Sequence, residues 1–277
     1  MGSGRASLRR SLAAALALGV TGAARAQAPP AVQAAAIPEF ASVAPGGAFR
    51  VAVRLRIPVG CHISWVNPGQ SGLPTTIAWQ MPTGVSADET LWPYPERDET
   101  AGFVSHVYRG VAVVVTRFLV DSAFRGGAVA LRADLSWGLC GATCVPQRET
   151  VAVTLPVRPR PVGPTAEWRA LTPSLEALPA ASTSLVVRAV ALGDSIRLTI
   201  AGSPLDAPTS GTVTFFPQPS GVAVVVAVRR WGCGVAVTLP ARAFRSRPSR
   251  LAGVLVADGP WLVGSRRRAL AIDAVVE

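Results

Sequence analysis

The segment Leu139-Cys140-Gly141-Ala142-Thr143-Cys144-Val145-Pro146 holds two of the chain's four cysteines, four positions apart. Thiols at that spacing can do redox chemistry. Disulfide geometry wants Cα atoms roughly 4.4–6.8 Å apart, whereas four extended residues span about 13 Å, so the chain between them must fold back tightly. Gly141 suits that turn because it accepts backbone angles that other residues resist. A bridge enclosing so few residues stabilises a fold by only ~2 kcal/mol in the loop-entropy account. A weak staple outside regular structure makes more sense as a redox couple than as a clamp. The rival is a permanently oxidised staple in a non-enzymatic binding module.

Cys61 and Cys233 complete the set, and four cysteines allow three complete pairings. A Cys61–Cys233 bridge would close a loop of over 170 residues and could stabilise by roughly 5 kcal/mol. One of them lies in each expected domain, so both are read as free thiols packing as small hydrophobes. Thiolates also favour soft ions such as copper(I), with further ligands drawn from Cys61, His62 or His106. Neither histidine has a metal-ligand spacing such as His-x3-His, so no metal and no cofactor are expected. No Ser-His-Asp arrangement, phosphate-cradling glycine loop or paired-carboxylate motif occurs.

The compartment bears on any thiol chemistry. Arg5, Arg9 and Arg10 precede an apolar run over residues 12–23, and Ala24-Arg25-Ala26 reads as an Ala-x-Ala cleavage site. Residues 1–26 are therefore expected to be a secretory signal, and the mature chain a periplasmic protein where disulfides persist. Arg9-Arg10 also permits a twin-arginine signal. No later run reaches 18 apolar residues, so no membrane span is expected. All 27 basic residues are Arg. Four lie in the signal, which leaves 23 against 16 acidic residues, a charge of +7. Arg266-Arg267-Arg268 is the only basic run and reads as a solvated turn, so no nucleic-acid partner is expected.

The elements that must position the cysteines are strands almost throughout. Over residues 49–57 Phe49, Val51, Val53, Leu55 and Ile57 alternate with Arg50, Arg54 and Arg56, the period of a half-buried strand. Similar runs follow at 76–81, 112–120, 128–137 and 150–157, separated by Gly and Pro clusters. Pro159, Pro161, Pro164, Pro173 and Pro179 then break any ladder. Seven more strand-like runs follow, at 184–191, 195–201, 212–216, 221–228, 234–239, 251–257 and 269–276. The pattern predicts an all-β chain of two immunoglobulin-like antiparallel β-sandwich domains joined by a Pro-rich linker. The first domain is expected over 27–157, the linker over 158–183 and the second domain over 184–277. Trp65, Trp79, Trp92 and Trp137 read as core or edge aromatics of the first.

The run Trp65-Val66-Asn67-Pro68-Gly69-Gln70-Ser71-Gly72-Leu73-Pro74-Thr75, then Trp92-Pro93-Tyr94-Pro95-Glu96-Arg97, then residues 134–146 follow one another in a telling order. Together they resemble the periplasmic N-terminal domain of the thiol:disulfide interchange protein DsbD and its ScsB-type relatives. The resemblance runs from about residue 46 to 156, with a weaker echo near Phe215-Phe216-Pro217 and residues 251–256. It implies an immunoglobulin-like domain that shuttles electrons, with Cys140 and Cys144 as the redox pair and Cys144 forming the mixed disulfide. It implies partners too: periplasmic thioredoxin-like or disulfide-containing proteins, and a separate membrane electron donor, since the sequence ends at Glu277 with neither a membrane nor a thioredoxin-like domain. Residues 97–104 match the loop that caps the cysteines in the family. There Asp98 and Glu99 resemble an acidic pair, and Phe103 is the nearest candidate for the capping aromatic, with an ordinary acidic surface loop as the alternative. Cys61 departs from the family, whose members tend to have an aromatic there.

Overall fold

A computed structural model of the protein describes residues 1–2, 31–100, 102–181, 183–206, 208 and 211–277. Apart from its first two residues, the signal expected over 1–26 lies outside the described residues. The first ten strands are β1 (Gln33–Pro38), β2 (Ala48–Arg56), β3 (Ile63–Gly69), β4 (Thr76–Gln80), β5 (Val85–Leu91), β6 (Glu96–Thr100), β7 (Phe103–Tyr108), β8 (Val111–Val120), β9 (Ala128–Cys140) and β10 (Cys144–Pro156). They pair as β1-β2-β8-β5 in one sheet, and as β10-β9-β4 and β3-β7-β6 in two smaller ones. The alternation of β2 turns Phe49, Val51, Val53 and Leu55 inward, where all four are buried. Phe49 stacks on Phe118 of β8, and Trp79 of β4 meets the same ring edge-on at 5.0 Å. The core between the sheets is therefore set by the period of two read from the sequence.

Seven further strands follow: β11 (Val186–Leu192), β12 (Ser195–Ala201), β13 (Thr212–Gln218), β14 (Val224–Trp231), β15 (Gly234–Pro240), β16 (Arg250–Val256) and β17 (Ala269–Val275). Their order is β11-β12-β15-β14-β13-β16-β17. The sheet curls until its first strand meets the end of the chain, through Ala191 N–H to Glu277 O (2.8 Å) and Glu277 N–H to Ala189 O (2.9 Å). Leu198, Phe215, Leu239, Leu251, Leu255 and Trp261 fill the interior. The chain is all-β and immunoglobulin-like, as the patterning predicts.

The Pro-rich stretch between the two sets of strands is exposed over residues 158–164 and then packs through Trp168, Leu171 and Leu178. It carries two short helices, α1 (Ala166–Arg169) and α2 (Thr172–Leu175), and the Thr165 hydroxyl caps the first by accepting from Trp168 N–H at 3.1 Å. Trp168, Leu171 and Leu178 bury against Ile37, Ala52, Val113 and Val115, covering the outer face of β1-β2-β8. Arg50 lies 5.1 Å above the Trp168 ring and pairs with Glu39. The basic run is occupied locally: Arg267 donates to Pro179 O, and Arg268 to Ala257 O, both at 3.0 Å.

The two sets of strands meet through a buried polar knot. Asn67 Nδ2 donates to Pro217 O (2.7 Å) and Gly221 O (3.1 Å). His106 Nδ1 donates to Asn67 O (2.8 Å), and its Nε2 accepts from Ala223 N–H (2.9 Å). The Phe216 ring packs edge-on against both Trp65 and His106. Burial lowers the His106 pKa to about 4, and the nearby Arg97 adds to the effect against the opposing Asn67 hydrogen bond. Gly69 of the same motif has φ +79°, and a Cβ there would sit 2.5 Å from Val104 O, so no other residue fits.

Candidate functional site: a disulfide at a hairpin tip

β9 and β10 form a long hairpin in which Cys140 stands directly opposite Cys144. Their sulfurs are bonded, and the Cα atoms lie 4.0 Å apart. Gly141 N–H closes the tip on Thr143 O at 3.0 Å. Two expectations are corrected here. The cysteines end strands instead of lying outside regular structure, because the ladder continues to the bridge itself. Nor does the turn use left-handed backbone at Gly141. What the position requires is smallness, since a Cβ there would lie 3.2 Å from Cys61 Sγ. Cys140 is buried, at 5 % exposure, and Cys144 is exposed. Cys61 and Cys233 are free thiols, as expected, but only Cys61 is partly buried; Cys233 is exposed and does not pack as a small hydrophobe.

The tip is held from the side by the chain entering β3. His62 N–H donates to Cys140 O at 2.8 Å, and Cys140 N–H donates to His62 O at 2.9 Å. On its other edge β3 pairs with β7, Ile63 opposite Tyr108 and Ser64 opposite Val107. Continuing that register by one residue sets His62 opposite Arg109. Arg109, His62, Cys140 and Cys144 therefore form one transverse row over four neighbouring segments. Arg109 donates to Asp98 Oδ1 (2.6 Å) and Glu96 Oε2 (3.0 Å). The Thr100 hydroxyl and Arg109 both donate to Asp98 and hold its carboxyl below the usual range. His62 feels both charges: burial and Arg109 push its pKa down, and Asp98 opposes them.

The structure separates the three capping-loop candidates. Asp98 is joined to the row through Arg109. Glu99, the next residue along β6, is paired instead with Arg97, whose guanidinium also donates to Ala223 O. Phe103 is not brought to the cysteines. It begins β7 six residues before Arg109, about 20 Å of extended strand away, and lines a cleft with Gly69, Gly221 and Arg242. Leu73, packed against Gly138, and Val145, next to Cys144, are both about half exposed and leave the tip an apolar rim. Among the described residues no group of three His, Cys, Asp or Glu side chains converges to hold a metal. His106 sits in the buried knot, not beside His62.

The fold and this tip define a class: an immunoglobulin-like β-sandwich presenting a disulfide between one buried and one exposed cysteine. The family described as "Thiol:disulfide interchange protein DsbD, N-terminal" matches residues 28–156. Among solved structures the chain is similar to the N-terminal periplasmic domain of ScsB from Proteus mirabilis. The identity is 14 % and the TM-score 0.52, over 88 % of this chain and 91 % of that one, so the fold is shared across both halves. The DsbD N-terminal domain of Neisseria meningitidis, in its reduced form, matches at 19 % identity and TM-score 0.28, over 47 % of this chain and 90 % of that one. A comparison with curated proteins returns no match. Among the described residues no helix is long and apolar enough to cross a membrane.

Sequence reasoning raises His62 only as one possible copper ligand beside the pair, not as the strand partner of Cys140. A single histidine at a strand entrance carries no periodic signal, and only the long-range pairing with Cys140 reveals it. The interior role of Asn67 is equally hidden in the sequence, although its motif stands out there.

Proposed function

We propose that Cys140 and Cys144 are a working thiol–disulfide couple in the periplasm, reduced by a donor and passing electrons to the disulfides of client or thioredoxin-like proteins. The observation that carries the proposal is the asymmetry of the bridge. Cys144 is open to solvent and rimmed by apolar side chains, whereas Cys140 is buried beside it in a segment that the DsbD N-terminal family matches. An exposed thiolate attacks a client sulfur, and a protected neighbour resolves the mixed disulfide; exchange chemistry needs that division of labour. Asp98 enters as the carboxylate that fixes Arg109 at the end of the row, and it has no direct chemical step.

The test is the reduction potential of the pair in the mature protein, set with glutathione buffers and read by mass spectrometry of alkylated thiols. A value near roughly −200 mV, with a mixed disulfide trapped on Cys144 in a Cys140→Ser variant, is expected of a shuttle. A bridge that stays oxidised below about −300 mV overturns the proposal and leaves a stapled binding module.

A further inference from the structure

The row Arg109, His62, Cys140, Cys144 assigns a task to its histidine. We propose that His62 exchanges the proton of Cys140 when that thiol resolves a mixed disulfide, a role that rests on the redox reading of the pair. The two backbone hydrogen bonds between His62 and Cys140 make them a hydrogen-bonded antiparallel pair. Residues paired in this way send their side chains off the same face, with Cβ atoms about 5.5 Å apart. An imidazole spans that gap. Strand alternation sends the neighbouring Cys61 to the opposite face, where it packs on the apolar core.

The groups facing His62 come from each element around it. Arg109 and Asp98 belong to the β6–β7 hairpin, with Glu96 held through Arg109, and Cys140 and Cys144 belong to β9 and β10. The chain has two histidines. Both ring nitrogens of His106 are engaged in the buried knot. His62 is thus the one group in the row whose charge ordinarily changes near neutrality. Burial and Arg109 lower its pKa, so its ring is neutral and able to accept a proton at pH 7.

The step balances without an outside reagent. Cys144 thiolate has attacked the client disulfide, leaving one client sulfur bonded to Cys144 and the other as a thiolate that takes a proton from water. Cys140 passes its proton to a ring nitrogen of His62 and attacks Cys144 Sγ. The Cys140–Cys144 bond forms as the Cys144–client bond breaks. The departing client thiolate takes the proton from the imidazolium. The client gains two electrons and two protons, and the cysteine pair ends oxidised.

The experiment mixes the reduced mature protein with oxidised glutathione, quenches with acid, and follows decay of the glutathione adduct by mass spectrometry from pH 5 to 9. An ordinary cysteine is only about 3 % thiolate at pH 7, so His62→Gln should slow resolution by up to about 30-fold there. The wild-type rate should fall with acid through a midpoint below 6.5, and the variant should lose that limb. A variant with the wild-type profile overturns the inference and spares the redox reading. So does a wild-type rate that rises only through the thiol range above pH 8, a result that needs no variant. If the wild-type protein never forms the adduct, the redox reading fails and takes the inference with it.

Discussion

The molecule's two histidines stand on neighbouring strands and live in opposite conditions. His106 is wholly buried, with one nitrogen donating to Asn67 O and the other accepting from Ala223 N–H. His62 is half-buried at the strand entrance, between a guanidinium and a disulfide, with its backbone paired to Cys140 and, among the described residues, no hydrogen bond to its ring. A histidine with both nitrogens committed holds structure together and cannot exchange a proton without losing a partner. One whose ladder bonds come from its backbone has its ring free for chemistry. The junction is thus built for permanence and the tip for turnover, which implies that stability and redox activity can be changed separately.

The largest expected effect falls on the junction. Phe216→Ala removes the ring that both Trp65 and His106 contact, and large-to-small changes of buried aromatics cost about 3–5 kcal/mol. Urea unfolding should show that loss while the reduction potential of the cysteine pair stays at its wild-type value. A shifted potential would mean that junction and tip are coupled.

Acid should weaken the same junction by nearly as much. The folded-state pKa of His106 is about 4 against 6.5 unfolded, so between those values the unfolded chain binds more protons. Its stabilising contribution is fully present above pH 6.5 and is lost as pH falls toward 4, by about 3 kcal/mol in all. Protonating Nε2 also removes the acceptor for Ala223 N–H. Denaturant midpoints measured across that range should fall in wild type and flatten in a His106→Gln variant. Asn67→Ala comes next. It leaves Pro217 O and Gly221 O without their donor, at a cost of about 2 kcal/mol, again with no change in potential.

How far the sequence revealed all this depends on the kind of signal. Strand-like apolar runs mark β2, β4, β8, β9 and β10 and all seven strands from β11 to β17. They do so by alternation where one face is buried, as in β2 and β12, and by continuous apolar residues where both are, as in β8. β6 (Glu-Arg-Asp-Glu-Thr) could not be seen in that way, since its side chains serve ion pairs and not a core. The proline-rich segment reads as an interdomain linker because proline breaks ladders, and within it Trp168 and Leu171 are buried. The spacing of Cys140 and Cys144 suggests a pair but leaves three pairings open, and the family motifs are legible from their order. The roles of His62 and Asn67 are not, because their partners are 78 and 150 residues distant, beyond any local pattern.

At the tip, expected stability effects are smaller. Replacing both Cys140 and Cys144 by Ser should lower stability by no more than about 2 kcal/mol, since the loop enclosed is so short, and should abolish exchange outright. A much larger loss of stability would return the bridge to the role of clamp and make the tip as structural as the junction.

The smallest effect is expected at Phe103, and it tests where the tip ends. An aromatic that shields the cysteines should raise the exchange rate when it is truncated. Phe103 lies instead at the far end of the β6–β7 hairpin, half exposed beside Gly69 and Arg242. Surface substitutions of that kind change energies by about 0.5 kcal/mol or less, so Phe103→Ala should leave the rate of reduction of oxidised glutathione within about twofold of wild type. A clear acceleration would show that the hairpin swings its far end over Cys144 in solution. Protection of the pair would then be a motion of the hairpin, where the geometry described here assigns it to the burial of Cys140 alone.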